Sequence, residues 1–307
     1  MEHIDFHISY TCSQKCVFCS SADSVRLFRN YPLGLETALT VLKEKRSRGF
    51  TSVHFTGGEA TDVPFFAELV QETRSLGYSV RVGTNGGRFS EKKFCLQVVP
   101  YLDEICFSIH GHSARLHDTT VKNRGSFRNL NRALALVPDY PVKVSSNTVI
   151  SRLNLSYLHD IEAFILKKRI KHLLFSNLAP EGRGLRHYRS LAVRLAEIKA
   201  RVPALIRQAN AHNSVTRFFG MPACILGDFA CYSNDFYWDE RLTFELSAGK
   251  KTCLKEEACL RPTRKRVHTG ACRRCLYKDI CGGIFKTYAA FYGDKELEPV
   301  KNSNFST

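Results

Sequence analysis

The fold is decided by the run His3-Ile4-Asp5-Phe6-His7-Ile8-Ser9-Tyr10-Thr11-Cys12-Ser13-Gln14-Lys15-Cys16-Val17-Phe18-Cys19. Its first half alternates, with Ile4, Phe6 and Ile8 on one side and His3, Asp5 and His7 on the other, which is the period of a strand. Its second half spaces three thiols as C-x3-C-x2-C. Working outward, the strand signal returns at Ser52–Phe55, Tyr78–Val82, Glu104–Ile109, Val142–Ile150 and His172–Leu178. Between these runs lie apolar stripes at helical spacing, such as Leu35/Ala38/Leu39/Leu42, Phe66/Leu69/Val70/Thr73, Phe127/Leu130/Leu134/Val137 and Leu158/Ile161/Ile165. A long helix is expected from about Tyr188 to Gln208. Six strand–helix units in succession predict an α/β fold with a parallel sheet covered by helices. Right-handed crossovers curl such a sheet toward a barrel, and closure takes about eight units. Six therefore predict an open, partial (βα)6 TIM-like barrel.

The chain has 307 residues, enough for about two domains. Helical periodicity weakens after residue 212 and Cys, Gly and aromatic residues increase, so the expected domains are 1–212 and a small Cys-rich unit, 213–307. A hydrophobic content of 44% excludes wholesale disorder. The net charge of +16 suits an anionic partner or a solvated basic surface. Twelve Cys would fit a secreted disulfide scaffold, but such scaffolds are small and exported. The stretch Met1-Glu2-His3-Ile4-Asp5 has no basic n-region or apolar h-region, and no run is long enough to span a membrane. The expected setting is the cytoplasm, with the thiols engaged in metal or redox chemistry.

Three thiolates within eight residues can wrap one inorganic centre. Zinc wants four ligands, and no fourth Cys or His is close in sequence. A [4Fe–4S] cluster held by three thiolates keeps one iron open for another ligand. With an aromatic before its last Cys, and placed just after a first strand, the motif resembles the radical S-adenosylmethionine (SAM) superfamily. The resemblance implies that Cys12, Cys16 and Cys19 hold the catalytic [4Fe–4S] cluster. It implies that the open iron chelates the amino and carboxylate groups of SAM, that reductive cleavage gives a 5′-deoxyadenosyl radical, and that this radical abstracts hydrogen from a substrate.

The C-terminal ends of the other strands carry polar and glycine residues, and in parallel α/β barrels that rim is where chemistry sits. Strand two ends in Gly57-Gly58-Glu59. Glycines allow close backbone approach, and a carboxylate can accept from an ammonium. The resemblance makes this the family's GGE-type motif, with Glu59 on the methionine amine. It also suggests that Thr84, Asn85, Ser108 and Asn147 help hold SAM, and that the loop carrying Leu178 and Pro180 lines the adenine. His110 beside Gly111 reads as a structural histidine, and Cys95 and Cys106 as packing.

The run Cys272-x2-Cys275-x5-Cys281 matches a zinc knuckle or, given the N-terminal half, resembles the SPASM and twitch auxiliary-cluster extensions of radical SAM enzymes. The longer SPASM pattern would place a fourth Cys where Phe285 stands, so one auxiliary [4Fe–4S] cluster is expected, with a second possible from the remaining thiols. Cys224, in a Pro-x-Cys setting, is the preferred fourth ligand; Cys231, Cys253 and Cys259 compete with it. Cys253 and Cys259 are also candidate hydrogen donors to a product radical, as in radical epimerases. The basic cluster Arg261, Arg264, Lys265, Arg266, Arg273 and Arg274 could face an anionic substrate or an acidic flavodoxin or ferredoxin acting as electron donor.

The expected activity is hydrogen abstraction from a substrate, with peptide maturation preferred. The alternative is an epimerase or dehydrogenase of a carbohydrate, aminoglycoside or other small molecule. A reading of another class, a zinc or Fe–S protein binding nucleic acid, is motivated by the charge and the C-x2-C. Against it, the basic residues are not interleaved with a stacking platform.

Overall fold

The computed structural model describes residues 2–31, 33–248 and 252–301. Met1, and residues 249–251 and 302–307 of the expected C-terminal unit, lie outside the described residues.

The six expected strands are β1 (His3–Ser9), β2 (Ser52–Gly57), β3 (Ser79–Thr84), β4 (Glu104–Ser108), β5 (Lys143–Val149) and β6 (His172–Ser176). The sheet runs beyond them. β7 (Val215–Phe219) adds parallel to β6, and β8 (Arg241–Ala248) adds parallel to β1 at the opposite edge. β9 (Thr252–Cys259) then pairs antiparallel with β8, giving the order β7-β6-β5-β4-β3-β2-β1-β8-β9. The expected boundary at 212/213 falls in the turn at Asn213, whose φ is 51°, and the sheet draws strands from both sides of it.

Alternation sorts the strands into two faces. Ile4, Phe6, Val53, Phe55, Val80, Val82, Ile105 and Phe107 are buried beneath helices and build the main core. The other face looks into the barrel and is polar. It carries Asp5, His7, His54, Arg81, Glu104, Ser108, Asn147 and Arg217. A closed barrel of this kind is filled by bulky apolar side chains; this open one keeps a polar interior. Cys95 packs in the core as expected, whereas Cys106 lines the interior.

The gap between β7 and β8 is covered by side chains. Phe219 stacks on Trp238 at a centroid distance of 6.2 Å, Trp238 lies under the Arg241 guanidinium at 4.3 Å, and Arg217 lies on Tyr237 at 3.3 Å. The expected long helix is broken into Tyr188–Leu191, Leu195–Lys199 and Val202–Ala211. Ala192 and Arg194 are extended, the Leu195 N–H donates to the Tyr288 hydroxyl at 2.8 Å, and Pro203 restarts the last piece. A tertiary hydrogen bond thus replaces the helical ones that local periodicity favoured.

Glu162, on the helix Leu158–Lys167, is 0% exposed. One carboxyl oxygen accepts from the Thr216 hydroxyl at 2.8 Å, and the other has no partner. Burial pushes this carboxyl up from 4.5 to about 8. The folded state therefore keeps the proton at pH values where the unfolded chain releases it. Stability from this group is complete below the unfolded value of 4.5 and is lost as pH rises through the folded value of about 8. Glu162→Gln removes the titration. In thermal melts it will match the parent near pH 5 and exceed it at pH 8.5, by on the order of 3 kcal/mol. Parallel pH profiles for the two proteins would refute this account.

Candidate active site

The cysteine loop leaves the C-terminal end of β1 and is clamped from two sides. On one side Lys15 N–H donates to Val121 O at 2.9 Å, Val17 N–H to Thr120 O at 3.0 Å, and the Gln14 amide to Ser126 Oγ at 2.5 Å. On the other, Arg183 donates through its backbone to Cys19 O at 2.9 Å and through Nη1 to Cys16 O at 3.2 Å. Gly182, at φ +52°, lies so close to the Cys19 and Ser20 carbonyls that a Cβ there would strike them. The helices that follow β4 and β6 thus hold the triplet in place.

Cys12, Cys16 and Cys19 are each partly exposed at the rim. The Gln14 N–H donates to Cys12 Sγ at 3.4 Å and the Asn85 amide approaches it at 3.9 Å. Burial pushes Cys12 to about 11 and Cys16 to about 12, and each feels charge on its neighbours in the triplet. Cys19 is also pushed up by burial. Free thiols here are therefore protonated at neutral pH; a bound cationic centre would reverse that. Three half-buried sulfurs within electrostatic reach of each other, with amide donors aimed at one of them, suit thiolate ligation of an iron–sulfur cluster. Among the described residues, no three or more His, Cys, Asp or Glu are arranged to hold a single metal ion.

Behind the loop lies Glu59, 2% exposed. Its Oε1 accepts from Thr61 Oγ1 at 2.6 Å, Thr61 N–H at 3.2 Å and Thr84 Oγ1 at 2.8 Å; its Oε2 accepts from Asn85 N–H at 2.7 Å. Burial pushes the carboxyl up, and these donors oppose it. Thr84 and Asn85 therefore serve Glu59, and Asn85 Oδ1 also accepts from Gly87 N–H at 2.8 Å. The space beside Gly57 and Gly58 is taken by the backbone of Ser9 and Thr11, and Gly58 N–H donates to Ser9 O at 2.7 Å. The glycines let β2 lie against the root of the cysteine loop, a close approach of chain to chain.

Ser108 and Asn147 are register partners on the inner face, and Asn147 Oδ1 accepts from Ser176 Oγ at 2.7 Å. Leu178 and Pro180 are buried, and Leu178 shares a core cluster with Phe18 of the cysteine loop. His110 is structural: its Nδ1 accepts from Val149 N–H at 3.3 Å, it packs edge-on to Phe18 at 4.7 Å, and burial pushes it down to about 3.

Sequence reasoning missed His7 and Glu245 at the mouth, and it placed Arg264 in the basic cluster without its partners. His7 faces the interior within reach of the charges on Glu245 and Arg264. Arg264 bridges Glu181, in the loop after β6, at 3.3 Å and Glu245, on β8, at 3.5 Å. The alternation of β1 already separated His7 from the apolar face, but which face is interior depends on the sheet's closure. The expected basic cluster also divides. Arg266 is buried, with Nη1 and Nη2 donating to the Asp235 carboxylate at 2.9 and 2.7 Å and further donors on Gly283 O. That leaves Arg261, Lys265, Arg273 and Arg274 exposed and facing solvent.

Among the C-terminal thiols, Cys224 is pushed up to about 12 by burial and feels Cys281, Cys275 and Cys272. Cys281 Sγ accepts from Ala223 N–H and Gly283 N–H, each at 3.4 Å. Cys224 thus lies within electrostatic reach of thiols from two other segments, Cys272 with Cys275 and Cys281. Cys231 lies near Tyr277 with Cys275. Cys253 and Cys259 sit on β9, opposite Ser247 and Arg241, at the rim and floor ends of the hairpin.

Residues 6–165 match the family described as the Radical SAM superfamily. An S-adenosylmethionine-dependent nucleotide dehydratase of Flammeovirga pacifica is 27% identical over 170 residues, covering 53% of this chain and 57% of that protein. The mycofactocin maturase MftC of Mycobacterium ulcerans is 24% identical over 306 residues, covering 91% of this chain and 81% of that protein. Among solved structures, native anSMEcpe with bound AdoMet aligns with a TM-score of 0.57 at 19% identity, covering 70% of this chain and 64% of that one. Streptococcus suis SuiB bound to precursor peptide SuiA aligns at 0.58 and 16% identity, covering 79% and 57%. The chain thus spans less than two thirds of the dehydratase and of both structural neighbours, and their likeness in structure is one of fold.

Proposed function

The chain belongs to the radical SAM superfamily and is an enzyme of it, and from that premise we propose that it abstracts hydrogen from a peptide substrate in a maturation reaction. The observation that carries the reading is the clamped Cys12/Cys16/Cys19 loop at the rim with Glu59 fixed behind it. The family implies a [4Fe–4S] cluster and SAM, and in our reading these three thiolates hold the cluster. A cluster held there would supply the electron for reductive cleavage of SAM.

The chain's own residues do the rest. The clamps from the helices after β4 and β6 fix the loop that carries the sulfurs. Glu59 with Thr84 and Asn85 makes a rigid carboxylate site for the methionine amine. Gly57 and Gly58 bring that site against the loop. Ser108 and Asn147 present hydroxyl and amide groups from the inner face, and Leu178 with Pro180 forms an apolar wall against the adenine. We assign a single auxiliary [4Fe–4S] cluster to Cys224, Cys272, Cys275 and Cys281, because the charges on the last three reach Cys224. The exposed Arg261, Lys265, Arg273 and Arg274 beside it suit an acidic flavodoxin or ferredoxin as electron donor.

Peptide maturation is supported by similarity to MftC along nearly the whole chain and by the shared fold of SuiB. A second reading, a small-molecule epimerase or dehydrogenase, is favoured by the charged barrel interior and by Cys253 at the rim end of the hairpin.

Anaerobic reconstitution with iron and sulfide, followed by dithionite and SAM, tests the assignment. About eight iron atoms per chain and 5′-deoxyadenosine are expected; zinc in place of iron and no cleavage would defeat it. Cys224→Ser will lower the iron content to about four, whereas Cys231→Ser will leave about eight. The reverse pattern would move the fourth ligand to Cys231. A mass change in a supplied precursor peptide, formed only with SAM and reductant, decides the substrate class.

A further inference from the structure

The barrel interior holds a cavity of about 410 Å³ on its floor, at the N-terminal halves of the strands and away from the cysteine loop. The fixed charges of its lining are Arg81, Lys143, Arg217 and Arg241 against Glu104 and Asp239. These groups differ in how far they are engaged. Arg241 is paired with Asp5 at 3.0 Å and stacked on Trp238. Glu104 accepts from the Ser145 hydroxyl at 2.5 Å. Among the described residues, Arg81 donates only to a neutral hydroxyl, Ser52 Oγ at 3.1 Å. Among the described residues, neither Arg217 nor Lys143 has a carboxylate partner.

Arg217 is the most telling of these. Its guanidinium lies flat on the Tyr237 ring, 3.3 Å from the centroid. Stacking fixes the plane and leaves the in-plane N–H fork free for a bidentate acceptor. In register, Arg217 faces Leu174, Leu174 faces Asn147 and Asn147 faces Ser108, so it shares one row of the inner face with residues assigned to the cofactor side. Arg217 and Arg81 are half-buried and Lys143 is exposed; Glu104 lies between Arg81 and Lys143 in register, so the lining carries four cations against two carboxylates, an excess that an anionic ligand would balance.

We infer that the barrel floor is a subsite for an oxyanion of the substrate, a carboxylate or a phosphate, taken by Arg217 with Arg81 and Lys143. The inference rests on the proposed hydrogen abstraction from a bound substrate, which it places inside the barrel, and it names the class: a molecule with an anionic group about 10 Å below the rim, at ~3.3 Å per residue along β3. Held there, the substrate is anchored at one end and its reacting carbon is presented to the rim.

Trp238 is the chain's single tryptophan; it sits between the lining residues Tyr237 and Asp239 and under the guanidinium of the lining residue Arg241, so its fluorescence reports on the cavity wall. The reconstituted protein is titrated with inorganic phosphate and, separately, with glutarate, at ionic strength held constant with chloride. A saturable change with at least one anion is expected, and the tighter of the two identifies the chemistry as phosphate or carboxylate. Arg217→Gln will weaken that binding about tenfold or more. Arg217→Lys will fall between, and Arg207→Gln, an exposed cation elsewhere, will bind like the parent. If Arg217→Gln fails to fold, Arg81→Gln carries the same expectation. No saturation with either anion, or parent-like binding by Arg217→Gln, overturns the inference. Neither peptide nor turnover is needed. A protein that forms 5′-deoxyadenosine but binds neither anion defeats this inference alone, and one that binds an anion but never cleaves SAM defeats only the functional reading.

Discussion

Cys16→Ala will abolish SAM cleavage, lowering 5′-deoxyadenosine formation by at least about a thousandfold while removing about four iron atoms per chain. The size of the effect follows from the small number of ligands. With three protein thiolates proposed for the catalytic cluster, loss of one leaves too few to hold it in place. The fold will survive, because the loop is pinned by backbone hydrogen bonds from Lys15 and Val17 that the substitution leaves intact. Losing the thiol from a side chain in a half-buried loop changes stability by less than about 1 kcal/mol. Iron analysis, product chromatography and a thermal melt on the same preparation check all three parts. Retained cleavage with a full iron complement would refute the ligand assignment.

Glu59→Ala will cost about 3–5 kcal/mol of folding stability in addition to loss of SAM binding. The carboxylate takes four donors: Thr61 N–H and hydroxyl, Thr84 hydroxyl and Asn85 N–H. Removing it strands them in a buried site, and each then carries its own desolvation penalty. Glu59→Gln keeps the shape and one acceptor but turns an amide donor toward other donors, so its cost is smaller, about 1–3 kcal/mol. Denaturant melts give the stability term, and equilibrium binding of SAM to the folded variant gives the cofactor term. A Glu59→Ala protein as stable as the parent would show that Glu59 acts on the cofactor alone.

Much of the rim was legible because its signals are local. The three thiols lie within one loop, and Gly57-Gly58-Glu59 ends its strand where the period of two ends. What these residues touch was not legible in the same way. The resemblance suggests cofactor contacts for Thr84 and Asn85, and the structure adds that both bond to Glu59, about 25 residues earlier in the chain. Arg266 sat in an apparent basic patch, yet it is buried against Asp235, 31 residues away. Charge runs are counted along the chain, whereas pairing is decided across the fold.

By itself, then, the sequence determined the alternation of strand and helix, the cysteine loop at the end of β1, and the polar side of each strand. These are set by short-range periods and by ligands that follow one another within a single loop. Only the tertiary structure decided which side of the strands is interior and that β7 and β8 extend the sheet at its two edges. Likewise, only the fold shows that Arg217 and Arg81 share one cavity. Parallel strands pair through crossovers, so neighbours in the sheet are distant in sequence. β1 meets β8 across more than 230 residues, with His3 opposite Arg241, and no local pattern encodes that pairing.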